Sequence, residues 1–141
     1  MINSFELLNK IFDICCNDVE LCDLLGIDNK LTNTDLLDNQ NNKLRREYQT
    51  DEVISSKDIP FISYYFMHSE KLKNNWTVNV GDLYVDIYAD SIYKAGEISY
   101  RFRELLSSNM EILLMYEGQH YSGVNGVYKY RLIYNTLIDG I

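Results

Sequence analysis

The sequence predicts an α+β domain whose mixed, mostly antiparallel sheet of about four strands carries helices on one face. Two patterns point to this class. The first residues have helical periodicity, whereas the chain after Pro60 alternates in β-favouring runs around one further helix. Its 141 residues, 46% of them hydrophobic, suit one domain over residues 1–141 with a substantial core. The order of elements predicts helices packed against one side of a sheet.

Residues 1–27 are predicted to be an N-terminal helical segment. Asn3, with a glutamate three residues later, resembles a capping box, and Asn17 begins the same pattern again. The segment is therefore either one helix with a break or two short helices. Gly26 is a stop signal. One apolar stripe follows a spacing of three and four: Phe5, Leu8, Phe12, Cys15, Val19 and Cys22.

Residues 28–58 form a polar, turn-rich stretch, which we call the polar arm. Leu36, Leu37 and Leu44 indicate one or two short helical turns within it. Connections this long in a small domain are usually functional or flexible. Two interpretations remain open: an arm that becomes ordered against a neighbouring subunit, or a surface linker without a role.

Residues 59–136 are predicted to be the sheet and helix core, which begins at the only proline, Pro60. A proline is tolerated there because the first residue of a strand need not donate to the ladder. The predicted elements are strands at 61–67, 76–80 and 83–89, a helix at about 90–108, and a hairpin with strands at 112–116 and 127–134 around a turn at 120–125.

The alternation of apolar residues changes phase at Gly81-Asp82. Apolar residues occupy even-numbered positions in 76–80 and odd-numbered positions in 83–89, which predicts a β-bulge or bend between the two runs. The second run places Leu83, Val85 and Ile87 on one face of the sheet. The opposite face takes Tyr84, Asp86 and Tyr88.

Catalytic motifs are absent from the sequence. It has no glycine-rich phosphate loop, no G-x-S-x-G, no H-E-x-x-H and no C-x-x-C, so we expect neither an enzyme nor a cofactor. Asp82, Asp86 and Asp90 recur at steps of four. They could bind a cation, but a solvated sheet face or a polar contact between subunits is the favoured interpretation.

The cysteines are predicted to be reduced, structural thiols. Cys15, Cys16 and Cys22 are an odd number and lie in one apolar segment, so they do not make a disulfide framework. His68 and His120 are distant in sequence, which disfavours a zinc site.

The net charge of −8, from 13 basic and 21 acidic residues, disfavours binding to nucleic acid. Solubility, a basic protein partner, or a surface along which DNA slides without binding all fit it. The chain has no run of about 18 apolar residues that could span a membrane. Residues 1–6 lack a signal peptide, so we expect assembly in the cytoplasm.

Tyrosine is concentrated in the sheet region, where eleven of the twelve tyrosines lie between positions 64 and 134. Tyrosine is common at interfaces because its ring buries area while its hydroxyl stays satisfied. The alternative is a tyrosine-rich surface without a partner. The predicted subunit interface adds the polar arm to these residues: Tyr84, Asp86, Tyr88, Tyr128, Tyr130 and Arg131.

Several stretches resemble the neck and tail-terminator proteins of tailed phages. These are residues 59–66, 83–89 and the helix at 93–106, together with the overall plan across residues 1–134. The resemblance implies a ring of about six subunits at the head-proximal end of a phage tail. Such a ring ends the tail tube, joins it to the head connector, and lets DNA pass without specific binding.

The same resemblance implies a virion protein assembled in the bacterial host, without catalytic residues, cofactor or membrane. Two alternatives remain. One is another neck layer, such as a head-closure or tail-completion protein. The other is an acidic immunity or antitoxin-like protein that neutralises a basic partner.

Overall fold

The computed structural model describes residues 3–71 and 78–139. Within them the sheet has the order β1-β2-β3-β5-β4, and only the β1–β2 pair is parallel. The elements are α1 (Ser4–Cys16), α2 (Val19–Leu25), α3 (Asn33–Lys43), β1 (Leu44–Arg45), a 3-10 turn (Asp51–Val53), β2 (Phe61–Lys71), β3 (Val78–Ala89), α4 (Ile92–Asn109), β4 (Leu113–His120) and β5 (Tyr128–Asp139). The predicted α+β class is confirmed, with the two-residue β1 as an additional, fifth strand.

The N-terminal segment is two helices that break at Asn17. Asn3 caps α1 reciprocally: its Oδ1 accepts from the amide of Glu6 at 2.8 Å and its Nδ2 donates to the Glu6 carboxylate at 2.9 Å. The cap of α2 is Asp18 rather than the predicted Asn17. Asn17 instead donates its side-chain amide to the carbonyl of Asp13 at the end of α1. Gly26, at φ 78°, ends α2 in the left-handed conformation.

The helices α1, α2 and α4 pack against one face of the sheet, as the sequence predicts. Leu83, Val85 and Ile87 of β3 point into this layer and are fully buried. Two members of the predicted stripe are wrong, because Phe5 and Val19 are 76% and 67% exposed. The buried positions of the apolar face are Leu7, Leu8, Ile11, Phe12, Cys15, Leu21, Cys22 and Leu25.

The polar arm contains more regular structure than its composition predicts. Its helix α3 spans 11 residues instead of one or two short turns, although none of them is fully buried. Leu36 packs against the main core, and β1 pairs with β2 through Leu44, which is 1% exposed. Lys43 Nζ donates to the carbonyls of Asp58 and Pro60 at 2.9 and 3.1 Å. This ties the start of β1 to the end of the arm.

The predicted bulge at Gly81-Asp82 is wrong. β3 pairs with β5 in unbroken register from Val78 to Ala89, and the irregularities lie in β2 between Phe66 and His68 and in β4. The phase changes because the apolar Val80 lies on the side of the sheet opposite the helices, while a glycine, Gly81, occupies the neighbouring helix-side position. A Cβ on Gly81 would lie 2.9 Å from the Phe66 ring and 3.1 Å from Ile138 Cδ1, so these side chains fill its place. The predicted strand start at residues 76–77 lies outside the described residues.

A bidentate ion pair joins α2 to α4. Arg101 donates from Nη2 and Nε to the Asp18 carboxylate at 2.6 and 2.9 Å, and the same carboxylate accepts from the amide of Leu21. The hydrogen bond from Arg101 is the largest cause that lowers the pKa of Asp18, and it outweighs the opposing effect of burial. Asp18, the N-terminal cap of α2, therefore also links α2 to α4.

Substitution of Gly81 by alanine should destabilise the domain by about 1–3 kcal/mol, because Phe66 and Ile138 must move to admit the methyl group. Urea unfolding followed by circular dichroism measures this. Gly96→Ala is the matched control: a Cβ there meets nothing within 4 Å inside α4, so about 1 kcal/mol of stabilisation is expected. Equal effects of the two changes would contradict the packing described for Gly81.

Asp18→Asn should lower stability at pH 7 by about 1–3 kcal/mol, since asparagine keeps the cap but loses the charged hydrogen bonds to Arg101. The folded pKa of Asp18 lies below 3.8, so this stability is complete above pH 3.8 and is lost as pH falls through the folded value. Unfolding midpoints of both proteins across pH 2–7 should therefore converge at the acid end. Glu20→Gln, at a 66% exposed side chain 3.3 Å from Arg101, should show little difference at any pH.

Candidate subunit interface on the open face of the sheet

The side of the sheet opposite α1, α2 and α4 carries the candidate site, and we call it the open face. The strand register aligns residues across four strands in three rows on this face. In the strand order β2, β3, β5, β4 the rows are Tyr65-Tyr84-Ile133-Tyr116, Ser63-Asp86-Arg131-Gly118 and Phe61-Tyr88-Lys129-His120.

The middle of the open face holds a buried carboxylate. Asp86 is 1% exposed and receives the Tyr65 hydroxyl at 2.7 Å and Arg131 Nε at 2.7 Å. Arg131 Nη2 adds a second contact at 3.2 Å, and Lys129 Nζ lies 3.6 Å away. Burial raises the pKa of Tyr65, and the negative charge of Asp86 raises it further. Asp86 is thus part of an internal ion cluster and not of a solvated face, which corrects that interpretation.

The last part of the polar arm, residues 46–58, covers one side of this cluster. The Tyr48 ring meets the Tyr65 ring edge-on at 5.4 Å, and Ser63 Oγ donates to the carbonyl of Glu47. Further along, Ile54 joins a second apolar cluster with Phe61, Tyr88 and Val127. The arm therefore shields Asp86 from water, which is why a charged residue can lie in the middle of a strand.

The other side of the open face stays uncovered within the described chain. Tyr84 is half-buried beneath Arg131, whose Cζ lies 5.0 Å from its ring centre. Ile133 is also half-buried, and Tyr116 is 43% exposed. In the row from Tyr65 to Tyr116, the end at β2 is therefore covered, whereas the end at β4 is accessible and apolar. We call Tyr84, Ile133 and Tyr116 the apolar row.

Tyr116 reaches over a glycine to contact a histidine. Its hydroxyl lies 3.0 Å from His120 Nε2, and a Cβ on Gly118 would lie 2.5 Å from that hydroxyl. Burial lowers the pKa of His120, and the positive charges of Arg131 and Lys129 lower it further. His120 is therefore neutral at pH 7, and this end of the open face carries no added charge.

The six residues predicted as an interface do not share one surface. Tyr84, Asp86, Tyr88 and Arg131 lie on the open face, whereas the register puts Tyr128 and Tyr130 on the side of the helices. The Tyr130 hydroxyl donates to Glu117 at 3.1 Å.

The six residues predicted as an interface also differ in their exposure to solvent. Asp86 and Tyr88 are each 1% exposed, so a partner would meet Tyr84, Tyr128 and the edge of Arg131. Tyr116 and Ile133 could not be predicted from the sequence, because their place beside Tyr84 follows from strand register, which no local pattern gives. A contact between subunits stays a prediction for all of them.

The cysteines are buried or half-buried, as predicted. Cys15 and Cys22 are fully buried, Cys16 is half-buried, and none forms a disulfide. Burial raises the pKa of Cys15 well above its usual value and that of Cys16 to about 12, so both thiols stay protonated.

The part of the chain that is described offers few candidate ligands for a metal ion. Across residues 3–71 and 78–139, no group of three or more His, Cys, Asp or Glu side chains could hold a metal ion. Asp82 accepts a hydrogen bond from Asn135, and Asp90 is exposed. No helix in the same residues is long and apolar enough to cross a bilayer.

The fold has a counterpart among solved structures. A chain from the virion of a native gene transfer agent (GTA) particle matches with a TM-score of 0.61 at 8% sequence identity, and the match covers 92% of both chains. No family model matches the sequence, and no curated protein matches it. The similarity therefore concerns the whole fold and not a conserved set of residues.

Asp86→Asn should destabilise the domain by about 3–5 kcal/mol, because it keeps the shape of the side chain but leaves Arg131 and Lys129 without their counter-charge. Guanidinium unfolding monitored by tyrosine fluorescence provides the measurement. Glu117→Gln breaks the Arg103–Glu117 pair, whose side chains are 40% and 41% exposed, and should cost less than about 1 kcal/mol. If the two variants lose similar stability, the buried cluster does not hold the open face together.

Proposed function

We propose that this chain is a structural protein of a virion. The observation that carries the proposal is the agreement of its whole fold, over 92% of both chains, with a virion chain of a gene transfer agent particle. At 8% identity that agreement concerns the fold, so the role is our inference. The role needs neither catalysis nor a cofactor and would be exercised through contacts with other virion proteins.

Within the virion, the proposed place is a ring at the head-proximal end of a tail, where it ends the tail tube and joins it to the head connector. The resemblance of residues 59–66, 83–89 and 93–106 to neck and tail-terminator proteins supports this place. A ring requires head-to-tail contacts between two different surfaces of each subunit. The open end of the sheet, at β4 and the uncovered part of the open face, and the opposite end, at β1 and α3, are two such surfaces.

The charge of the chain suits a ring through which DNA passes. Its net charge of −8 opposes binding to the phosphate backbone. Several of its cations are engaged within the fold, since Arg131 and Lys129 contact Asp86 and Lys43 contacts two carbonyls. In the proposed ring, the exposed carboxylates would face the channel and keep DNA from sticking.

The two alternatives differ in what supports them. Another neck layer, such as a head-closure or tail-completion protein, shares the fold argument and is distinguished by the partner that the ring binds. The acidic immunity or antitoxin-like binder has only the charge in its favour.

Purified protein should form a ring of about six subunits, either alone or on isolated tails. Light scattering over a concentration series and negative-stain imaging measure this. Tyr128→Ala removes a 42% exposed ring from the predicted interface and should shift the distribution toward monomer. Tyr93→Ala, at an 84% exposed tyrosine on α4, is the matched control and should leave assembly unchanged. A protein that stays monomeric both alone and with tails would refute the ring.

A further inference from the structure

A cavity of about 330 Å³ lies between the second half of α4 and the sheet. Its volume is at the lower end of those that hold small ligands, and it accommodates one long side chain. Solvent reaches the cavity, since Tyr100 and the side chain of Glu104 at its margin are 64% and 47% exposed. The walls include Tyr100, Arg103, Glu104, Ser107, Ile112 and Leu114.

The walls of this cavity differ in polarity. Ile112 and Leu114 supply an apolar wall, and both are half-buried against the main core. The wall on α4 carries the ring of Tyr100 and, one turn later on the same side of the helix, the carboxylate of Glu104. An occupant that complements all of these walls has an apolar stem and a polar end that donates hydrogen bonds to a carboxylate.

The charges around the cavity favour a cation. Arg103 is neutralised by Glu117 at 2.6 Å. Arg101 is closest to Asp18, at 2.6 Å, whereas Glu104 lies 3.9 Å from it. The carboxylate of Glu104 is therefore only weakly paired. In total, the two guanidinium groups meet four carboxylates: Asp18, Glu20, Glu104 and Glu117.

A guanidinium group fits these walls better than an ammonium group. It is planar, it donates two parallel hydrogen bonds to a carboxylate, and it stacks on aromatic rings. Tyr100 offers an accessible ring one turn before the carboxylate of Glu104. The alkyl stem of an arginine would pack on Ile112 and Leu114, because such stems cover apolar surface while the charged group stays near water.

The arginine has to come from a different protein, because all five arginines of this chain are held within its own fold. The net charge of −8 also favours a basic partner over a second acidic copy. Each arginine contacts a side-chain oxygen of the chain: Arg45 that of Gln49, Arg46 that of Asn9, Arg101 that of Asp18, Arg103 that of Glu117 and Arg131 that of Asp86.

We propose that this cavity binds an arginine side chain of a different protein. The guanidinium group pairs with Glu104 and stacks on Tyr100, while the stem lies against Ile112 and Leu114. Binding requires no pairing of strands at β4. The inference does not depend on the proposed role in a virion.

The test uses the whole protein and two capped amino acids, acetyl-arginine-methylamide and acetyl-citrulline-methylamide. Citrulline has the shape of arginine without its charge. Methyl NMR at constant ionic strength observes Ile112 and Leu114 in the cavity, whether the protein is a monomer or a ring. The arginine compound should give saturable shifts with a Kd of about 1–10 mM. The citrulline compound should bind about 3–10 times more weakly, because its hydrogen bonds to Glu104 carry no charge.

Two matched variants isolate the carboxylate of Glu104. In Glu104→Gln, the arginine and citrulline compounds should bind equally well. Glu97→Gln is the control, because Glu97 is exposed two turns earlier on the same side of α4 and does not line the cavity. Glu97→Gln should keep the full preference for arginine.

Four results would overturn the inference. The first is no saturable shift at Ile112 and Leu114 with the arginine compound. The second is equal binding of the two compounds to the unaltered protein. The third is a preference for arginine that survives in Glu104→Gln. The fourth is a loss of binding as the protein concentration rises, because a second copy would then occupy the cavity.

Discussion

The structure of the open face depends on one buried negative charge in the middle of the sheet, the carboxylate of Asp86. Asp86 is 1% exposed in the central strand β3, where an unpaired carboxylate would be too costly to bury. Arg131 from β5, Lys129 from β5 and the Tyr65 hydroxyl from β2 all reach it. The cluster therefore links three neighbouring strands, and a one-residue slip of β5 would carry Arg131 to the wrong face.

The two faces of the sheet are stabilised by different means. On the helix side, apolar packing predominates, and Phe66 and Ile138 occupy the space beside Gly81, which has no side chain. On the open face, the ion cluster needs cover, and the second half of the polar arm supplies it through Tyr48 and Ile54. The arm covers only the β2 side, so the β4 side keeps accessible apolar residues. The asymmetry of the domain follows from where the arm lies.

This asymmetry bears on the proposed assembly. The apolar row and the edge of β4 lie at the same end of the sheet, while the opposite end is closed by β1, α3 and the arm. A subunit with one open and one closed end offers two different surfaces, which is what head-to-tail contacts require.

Local patterns in the sequence determined the fold class, the break in the N-terminal helices, the position of α4 and the face assignment of Leu83, Val85 and Ile87. These features depend on periodicity and capping within a few residues, which a sequence displays directly.

Only the tertiary structure decided which residues contact Asp86 and that the polar arm covers this cluster. It also decided that Phe66 and Ile138 pack against Gly81, and that Tyr128 and Tyr130 lie on the opposite side of the sheet from Tyr84. Each of these depends on the register between strands far apart in the chain. Alternation shows that two side chains point in opposite directions along one strand, but it does not show which residue of another strand lies beside them.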